Sequence, residues 1–428
     1  MKGDIVKLST NKFLDLVVVA VCLSIVTGAY AVEDGFGETH AQEVLSESAG
    51  PELNLFERPG LEFDVGVTQI YQRNVRGGLS TNSGRGEYSG SFDVELAGDL
   101  EELFGFEGWR FYMLNEGSWT DSEGIDAWSV GSWFGVNGDA AGDRAWDVTE
   151  LWFEKDISDE LVLRLGKIDL TGGFECKGCP VSFDGNAYAN DETSQFLNNA
   201  LVNNPTIPFP DNGLGAVLHY YGGGMWYWSI GIADAQADAR ETGFSTTFHE
   251  EDYYFLIAEA GLVGHTHSAN GDLLGAARFG LWYDPQDKER FDDGETHRDD
   301  RGFYISADQK VYNESHDQSQ GLGVFGRYGY ASGEVNEVTN FVSFGMAYTG
   351  LFEGRDTDRL GVGFASGTFS DDDAQFTDDY ERVIEAYYSI DVADWISVSP
   401  SVQYVANPGG NDVASDAVVV GLRTQMVF

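Results

Sequence analysis

Apolar and polar residues alternate with a period of two along almost the whole chain. Leu61, Phe63, Val65 and Val67 alternate with Glu62, Asp64, Gly66 and Thr68. Leu161, Leu163 and Leu165 alternate with Val162, Arg164 and Gly166, and Leu360, Val362 and Phe364 with Arg359, Gly361 and Gly363. Near the end, Ile396, Val398, Pro400, Val402 and Tyr404 alternate with Ser397, Ser399, Ser401 and Gln403. A two-residue period puts successive side chains on opposite faces, so each run predicts a strand with one apolar and one polar face. Short turn signals at Ser158-Asp159, Gly222-Gly223-Gly224 and Val392-Ala393-Asp394 separate some runs. Longer acidic, Gly-rich stretches at 117–147, 169–212 and 371–379 separate others. Short turns at one end and long loops at the other predict an all-β fold, a transmembrane antiparallel β-barrel with short periplasmic turns and long extracellular loops.

The non-apolar face supports a barrel over a soluble sandwich, because it mixes Gly, Ala and Ser with Arg, Glu, Gln and Trp. Aromatics gather near strand ends, as at Trp226, Tyr227, Trp228, Tyr253, Tyr254, Tyr387 and Tyr388, where interfacial girdles belong. The last strand alternates Val418, Val420, Leu422, Thr424, Met426 and Phe428 with Ala417, Val419, Gly421, Arg423, Gln425 and Val427. An alternating strand that ends on an aromatic resembles the C-terminal signal of bacterial outer-membrane barrels.

The first thirty residues set the compartment. Lys2, Lys7 and Lys12 precede an apolar run from Leu16 to Val26, and Ala29-Tyr30-Ala31 supplies the small residues of a cleavage site. This order predicts a signal peptide over 1–31, with an uncleaved N-terminal anchor as the alternative. A short N-terminal segment at 32–52 and a barrel domain over 53–428 follow.

Composition narrows the partners. Lys plus Arg number 25 against 71 Asp plus Glu, a formal charge of −46, so no nucleic-acid partner is expected. An aromatic share of 14% and an apolar share of 42% exclude intrinsic disorder. There is no Gly-x-Ser-x-Gly elbow, P-loop or His-Glu-x-x-His, so neither enzyme activity nor a cofactor is expected. His265-Thr-His267 has the spacing of two ligands on one strand face, but without further partners it reads as exposed loop and no metal is expected. Asp371-Asp372-Asp373 and Asp378-Asp379 read as solvated charge or loose cation bridging at a lipopolysaccharide surface.

Two stretches carry a family resemblance. Glu150-Leu-Trp-Phe-Glu154 followed by Leu161-Val-Leu-Arg-Leu-Gly-Lys-Ile168 is similar to the central hairpin of the carbohydrate-selective porin family typified by OprB. The tail resembles the same family in Glu385-Ala-Tyr-Tyr-Ser-Ile, Pro400-Ser-Val-Gln-Tyr-Val-Ala-Asn-Pro-Gly-Gly410 and Asp416-Ala-Val-Val-Val-Gly-Leu-Arg423. The resemblance implies a sixteen-stranded barrel and sugar uptake through the outer membrane, the remaining partners being outer-membrane lipid and lipopolysaccharide. Assembly into a homo-oligomer stays open. A general cation-preferring porin is the alternative that the acidity supports, and a plugged structural or adhesive barrel is a third.

Strand parity nominates the pore-lining residues. Glu150, Trp152 and Glu154 share one inward row, Arg164 and Ile168 face them on the returning strand, and Arg278, Arg327, Glu385, Gln403 and Arg423 take the same non-lipid parity. Sugars present hydroxyl edges and an apolar C–H face, which charged groups beside aromatics complement.

The stretch 169–212 is predicted to fold inward as a constriction loop, since Phe174, Phe183, Phe196, Leu197, Leu201 and Phe209 need a surface to pack on. Asp191 to Leu201 is expected to form a short helix capped by Asp191 or Thr193. Cys176 and Cys179 are candidates for a local disulfide, with free structural thiols, a metal half-site or a redox motif as alternatives.

Overall fold

A strand with one apolar face can enter lipid only if its backbone amides and carbonyls are all paired, because each unpaired group there costs several kcal/mol. In the computed structural model, which describes residues 59–81, 86–121, 124–139, 144–171, 182–221, 225–238, 253–314 and 319–428, closure meets that requirement. The chain begins with β1 (Leu61–Gly78), β2 (Glu87–Asp99), helix α1 (Leu100–Phe104), β3 (Trp109–Thr120), β4 (Arg144–Ser158) and β5 (Leu161–Ile168). Helix α2 (Asn199–Val202) lies in the following loop, before β6 (Gly213–Tyr221), β7 (Trp226–Asp234), β8 (Tyr254–Ser268) and β9 (Gly271–Asp284). A small separate hairpin pairs β10 (Lys288–Glu289) with β11 (Thr296–His297). The chain continues with β12 (Asp300–Asn313), β13 (Gly321–Tyr330), β14 (Val338–Thr349) and β15 (Arg359–Phe369). It finishes with β16 (Tyr380–Ala393), β17 (Ile396–Ala406) and β18 (Ser415–Val427).

Leaving aside the β10–β11 hairpin, these form a closed sixteen-stranded antiparallel barrel in which sequential strands are neighbours and β18 pairs with β1. The seam runs from Gly66 opposite Val427 to Gly78 opposite Ser415. Phe428 prolongs it, its N–H donating to Val65 O at 2.9 Å and its carbonyl accepting from Val65 N at 3.1 Å. The Phe428 ring stacks on Trp395 with centroids 5.7 Å apart. Pro400 has no N–H, and the β16–β17 ladder accordingly skips from Tyr387–Ser401 to Ile390–Val398. Among the described residues no helix is long and apolar enough to cross a membrane, so strands do the crossing.

The connections fall on two rims. One carries 100–108, 159–160, 222–225, 269–270, 314–320, 350–358 and 394–395; the other carries all the longer loops, including 121–143 and 169–212. The strand pairs Phe92–Gly117, Ser118–Arg144 and Glu116–Asp147 make the loop after β3 shorter than the acidic stretch 117–147 had suggested. Glycine and acid in that stretch belong partly to the barrel wall.

Burial is inverted relative to a soluble protein. Phe153, Leu165, Phe279, Leu281, Ile384 and Leu422 project outward and are exposed, while Glu154, Arg164, Arg327 and Glu385 point inward and are fully buried. An Arg on the outward face at mid-bilayer would cost about 2–4 kcal/mol. The expected aromatic girdle is only half right. Trp226 and Tyr254 are exposed at strand ends, but Tyr227 and Tyr387 are buried inward, since adjacent strand residues cannot share a face.

Two inward tyrosines lie flat over cross-strand glycines: a Cβ on Gly280 would come within 2.0 Å of the Tyr304 ring, and one on Gly261 within 2.2 Å of Tyr227. Gly280→Leu is therefore expected to destabilise the barrel by about 1–3 kcal/mol through overpacking. The measurement is the temperature at which an unboiled sample loses its compact gel band, and an unchanged temperature would contradict this packing.

Candidate functional site: an inner wall roofed by two loops

Inward charges inside a closed barrel need partners, and two loops from the long-loop rim supply many of them. The loop 182–212 runs across the lumen. The Glu385 carboxylate on β16 accepts the N–H groups of Leu197 and Asn198 at 3.0 and 2.9 Å. Arg423 on β18 donates to the carbonyls of Glu192 and Gln195 at 2.6 and 2.9 Å. Arg327 on β13 donates to Leu201 O at 2.9 Å and Asn190 Oδ1 at 3.1 Å, and its Nε lies 3.5 Å from Asp184. On the opposite side Glu259 of β8 accepts the hydroxyls of Tyr227 and Tyr304 at 2.6 and 2.7 Å and the Asp184 N–H at 3.0 Å.

The second loop, 121–143, lies beside the first. The Glu381 carboxylate accepts from Ser132 Oγ at 2.6 Å, Trp133 N at 2.8 Å and Gly409 N at 2.6 Å. Gln403 on β17 joins both loops, its Oε1 accepting from Asn198 Nδ2 and its Nε2 donating to Val136 O, each at 2.9 Å. Gly138 N donates directly to Leu197 O at 2.7 Å.

Apolar groups of the long loop pack as its composition requires. Phe196 sits against Phe325 and Tyr387 at centroid distances of 5.7 and 5.1 Å, and a Cβ on Gly231 would meet Phe183 at 2.7 Å. The predicted helix over Asp191–Leu201 is not formed. Asp191 caps a single turn by accepting from Thr193 N at 2.8 Å, and α2 starts only after Asn198, whose side chain accepts from Ala200 N at 3.0 Å. The intervening amides of Leu197 and Asn198 are committed to Glu385 and cannot continue a helical ladder.

On the β3–β5 wall Arg164 lies 3.6 Å over the Trp152 ring and 2.9 Å from Glu154, which also meets Arg110 at 2.8 Å. Trp152 Nε1 donates to Glu150 Oε2 at 3.0 Å, and its ring stacks on Tyr112 at 5.0 Å. Arg278 pairs with Asp308 at 2.6 Å.

The ten parity-selected residues, Glu150, Trp152, Glu154, Arg164, Ile168, Arg278, Arg327, Glu385, Gln403 and Arg423, all point inward and all are buried. Four of them, Arg327, Glu385, Gln403 and Arg423, hold the long loop. Glu259 and Glu381 were missed, although Glu259 is the lone acid of β8 and Glu381 shares the inward parity of Glu385 on β16. Asp64 on β1, Asp93 and Glu95 on β2 and Glu116 on β3 take the same inward parity and are only half-buried. Cys176 and Cys179 lie outside the described residues, as does Phe174. His265 and His267 belong to β8 and not to a loop.

Loop carboxyls are strongly perturbed. Burial pushes Asp126 up to about 7, with the Val136 N–H opposing and Glu381 adding to the rise. Burial also pushes Asp184 to about 7 against the pull of Arg327, while Glu259 raises it and Arg278 lowers it. Asp139 rises to about 6 by burial, against the pull of the Ser91 hydroxyl and Arg423, with Asp191 and Glu116 adding to the rise.

Comparison with known proteins places this architecture. The profile described as carbohydrate-selective porin, OprB family, matches residues 84–428. Porin B of Pseudomonas aeruginosa is 23% identical over 422 residues, covering 90% of this chain and 91% of that protein. Porin AaxA of Chlamydia trachomatis is 26% identical over 250 residues, 58% of this chain and 50% of that one. The high-pH structure of Pseudomonas putida OprB superposes with a TM-score of 0.73 at 21% identity, covering 92% and 97% of the two chains.

Replacing Glu385 by Ala leaves the Leu197 and Asn198 amides without their acceptor, at about 1–3 kcal/mol each. Single-channel conductance in planar bilayers is expected to rise as the loop loosens, and an unchanged conductance would separate the anchor from the pore. The raised carboxyls predict a pH response. Stability from Asp126 and Asp184 is fully present below their ordinary value of 3.8 and is lost as pH rises through about 7. Amide exchange at 126–136 and 184–190, corrected for intrinsic rates, should therefore be faster at pH 8 than at pH 5; equal protection would contradict it.

Proposed function

The chain belongs to the carbohydrate-selective porin, OprB family and is an outer-membrane sugar porin, and from that premise we propose that solute passes along the β1–β3 wall beside the long loop 182–212. The observation that carries this reading is the asymmetry of the lumen. The long loop presses against β8 and β12–β18, and the loop 121–143 reaches only the rim ends of β1 and β2, through Gln72, Asn74, Ser89 and Ser91, whereas Asp64, Asp93, Glu95 and Glu116 stay half-buried farther along that wall. Glu116 adds to the rise of the loop carboxyls Asp139 and Glu192, and Asp139 itself accepts from Ser91 Oγ of β2 at 2.7 Å, which gathers wall and loop acids at one end of this passage.

Carboxylates accept hydrogen bonds from sugar hydroxyls, and the neighbouring Tyr112, which donates to Glu95 at 3.2 Å, adds an aromatic edge. The ion-paired Arg110, Glu154 and Arg164 below that edge fix the rings of Tyr112 and Trp152. Arg327, Glu385, Gln403 and Arg423 act on selectivity by holding the loop, not by touching solute. Removal of a leader over 1–31 on export, contact with lipopolysaccharide and a barrel domain beginning near residue 53 complete the proposal.

The acidic passage favours a second reading, a general cation-preferring porin in which sugars receive no special treatment. Ion current through a single channel separates the two. Added glucose or maltose oligomers are expected to reduce the current in a saturable way, on top of a preference for cations. Cation preference without saturable block would favour the general porin. Deleting most of 180–205 should raise conductance and weaken the block, and an unaltered channel would remove the loop from the selectivity mechanism.

A further inference from the structure

At the rim opposite the selectivity loops, the turn 269–270 joins β8 to β9, and three donors meet beside it. His267 stands directly across the ladder from Asp272, and His265 lies two residues along on the same inward face. His267 Nδ1 is 2.5 Å from Asp272 Oδ1, and His265 Nε2 is 3.6 Å from Asp272 Oδ2. The imidazole centroids are 4.8 Å apart. One ligand atom from each of the three residues can be chosen so that all lie within 4.8 Å of one another.

We propose that His265, His267 and Asp272 bind a divalent transition-metal ion, of which Zn2+ is the best-matched chemistry, at the short-turn rim of the lumen. Zinc sits about 2.0–2.2 Å from imidazole nitrogen and carboxylate oxygen, so its ligand atoms lie about 3.3 Å apart in a tetrahedron. Starting from ligand atoms within 4.8 Å of one another, that spacing requires side-chain rotation of His267 and Asp272, which at 66% and 34% exposure have room for it. Two nitrogens and one oxygen leave the fourth position for water, the open arrangement of a three-ligand site.

The platform is built to hold this geometry. Asn313 Nδ2 donates to Asp272 O at 2.9 Å, and Asn270 Nδ2 donates to Asn313 O at 2.9 Å, which ties the turn to the next hairpin. Ser268 Oγ closes the turn onto Gly271 O at 2.6 Å. Backbone positions of the donors are thus set before any ion arrives, and ordering them costs little on binding. His267 is 66% exposed and His265 is 11% exposed, so the ion has an entry path from the outer side and a sheltered ligand on the inner side. The net charge of −46 draws cations toward the barrel, but hard ions such as Mg2+ prefer oxygen, so the two imidazoles select for softer metals. In an outer-membrane barrel this rim faces the periplasm.

The test uses the full exported chain in detergent, carrying no polyhistidine tag and with Cys176→Ser and Cys179→Ser so that thiols do not contribute. Calorimetric titration with ZnCl2, in millimolar MgCl2 to occupy the acidic loops, should show one strong site per chain. His267→Ala and Asp272→Asn are each expected to weaken it at least tenfold, while His297→Gln, remote on the β10–β11 hairpin, leaves it unchanged. Co2+ should give a visible absorption band that His267→Ala abolishes. Heat-modifiable gel mobility checks that each variant is folded, and His267 is exposed enough to be replaced without disturbing the barrel. No strong site in the parent protein, or equal affinity in His267→Ala, would overturn the proposal and leave His265, His267 and Asp272 as a simple ion-paired cluster.

Discussion

Closure of the backbone ladder in lipid is the constraint from which the rest of this structure follows. With β18 paired to β1, no strand edge meets hydrocarbon, and the middle of the outward face carries apolar side chains such as Phe153, Leu165, Phe279 and Leu281. Charge is thereby forced inward. The interior then has the problem that a soluble core avoids, since Glu154, Arg164, Arg327 and Glu385 are buried and each must find a partner.

The barrel meets that need in two ways. On the β3–β5 wall, charges pair with each other and with aromatic faces, as Arg110, Glu154, Arg164 and Trp152 do. Elsewhere they pair with loop backbone. Glu381 and Glu385, two turns of the pleat apart on β16, each gather amide N–H groups from a different loop, and Gln403 on the adjoining strand bridges the loops. Carboxylates that accept several N–H groups are strong anchors, so the loops are fastened by the same inward charges that closure imposes. A loop held this way is part of the folded core and not an appendage. Tyrosines over glycines complete the wall by admitting bulky rings where a Cβ would not fit.

Much of the fold was legible along the chain. The alternation marked strands, the boundaries of 169–212 match the end of β5 and the start of β6, and the inward parity of Arg164, Arg278, Arg327, Glu385, Gln403 and Arg423 agrees with their burial. Errors arose where one residue serves two levels of structure. The stretch 117–147 is Gly-rich and acidic because its ends lie in the barrel wall, not because all of it is loop. Asp191–Leu201 carries helix caps, yet Glu385, 188 residues from Leu197, takes the amides a helix would use. His265 and His267 read as exposed loop, whereas they lie on β8 with Asp272 across the two-residue turn.

The sequence by itself determined the closed barrel, its inward and outward faces and its C-terminal seam. A strand facing lipid on one side is governed by its own two-residue period, and that information is local. Only the tertiary structure decided which inward residues meet loop and which stay half-open. That division depends on where the segment 182–212 lies across the lumen, and hence on contacts between groups more than a hundred residues apart. Parity identifies the inner wall, while the loop that covers part of it decides how much of that wall stays open.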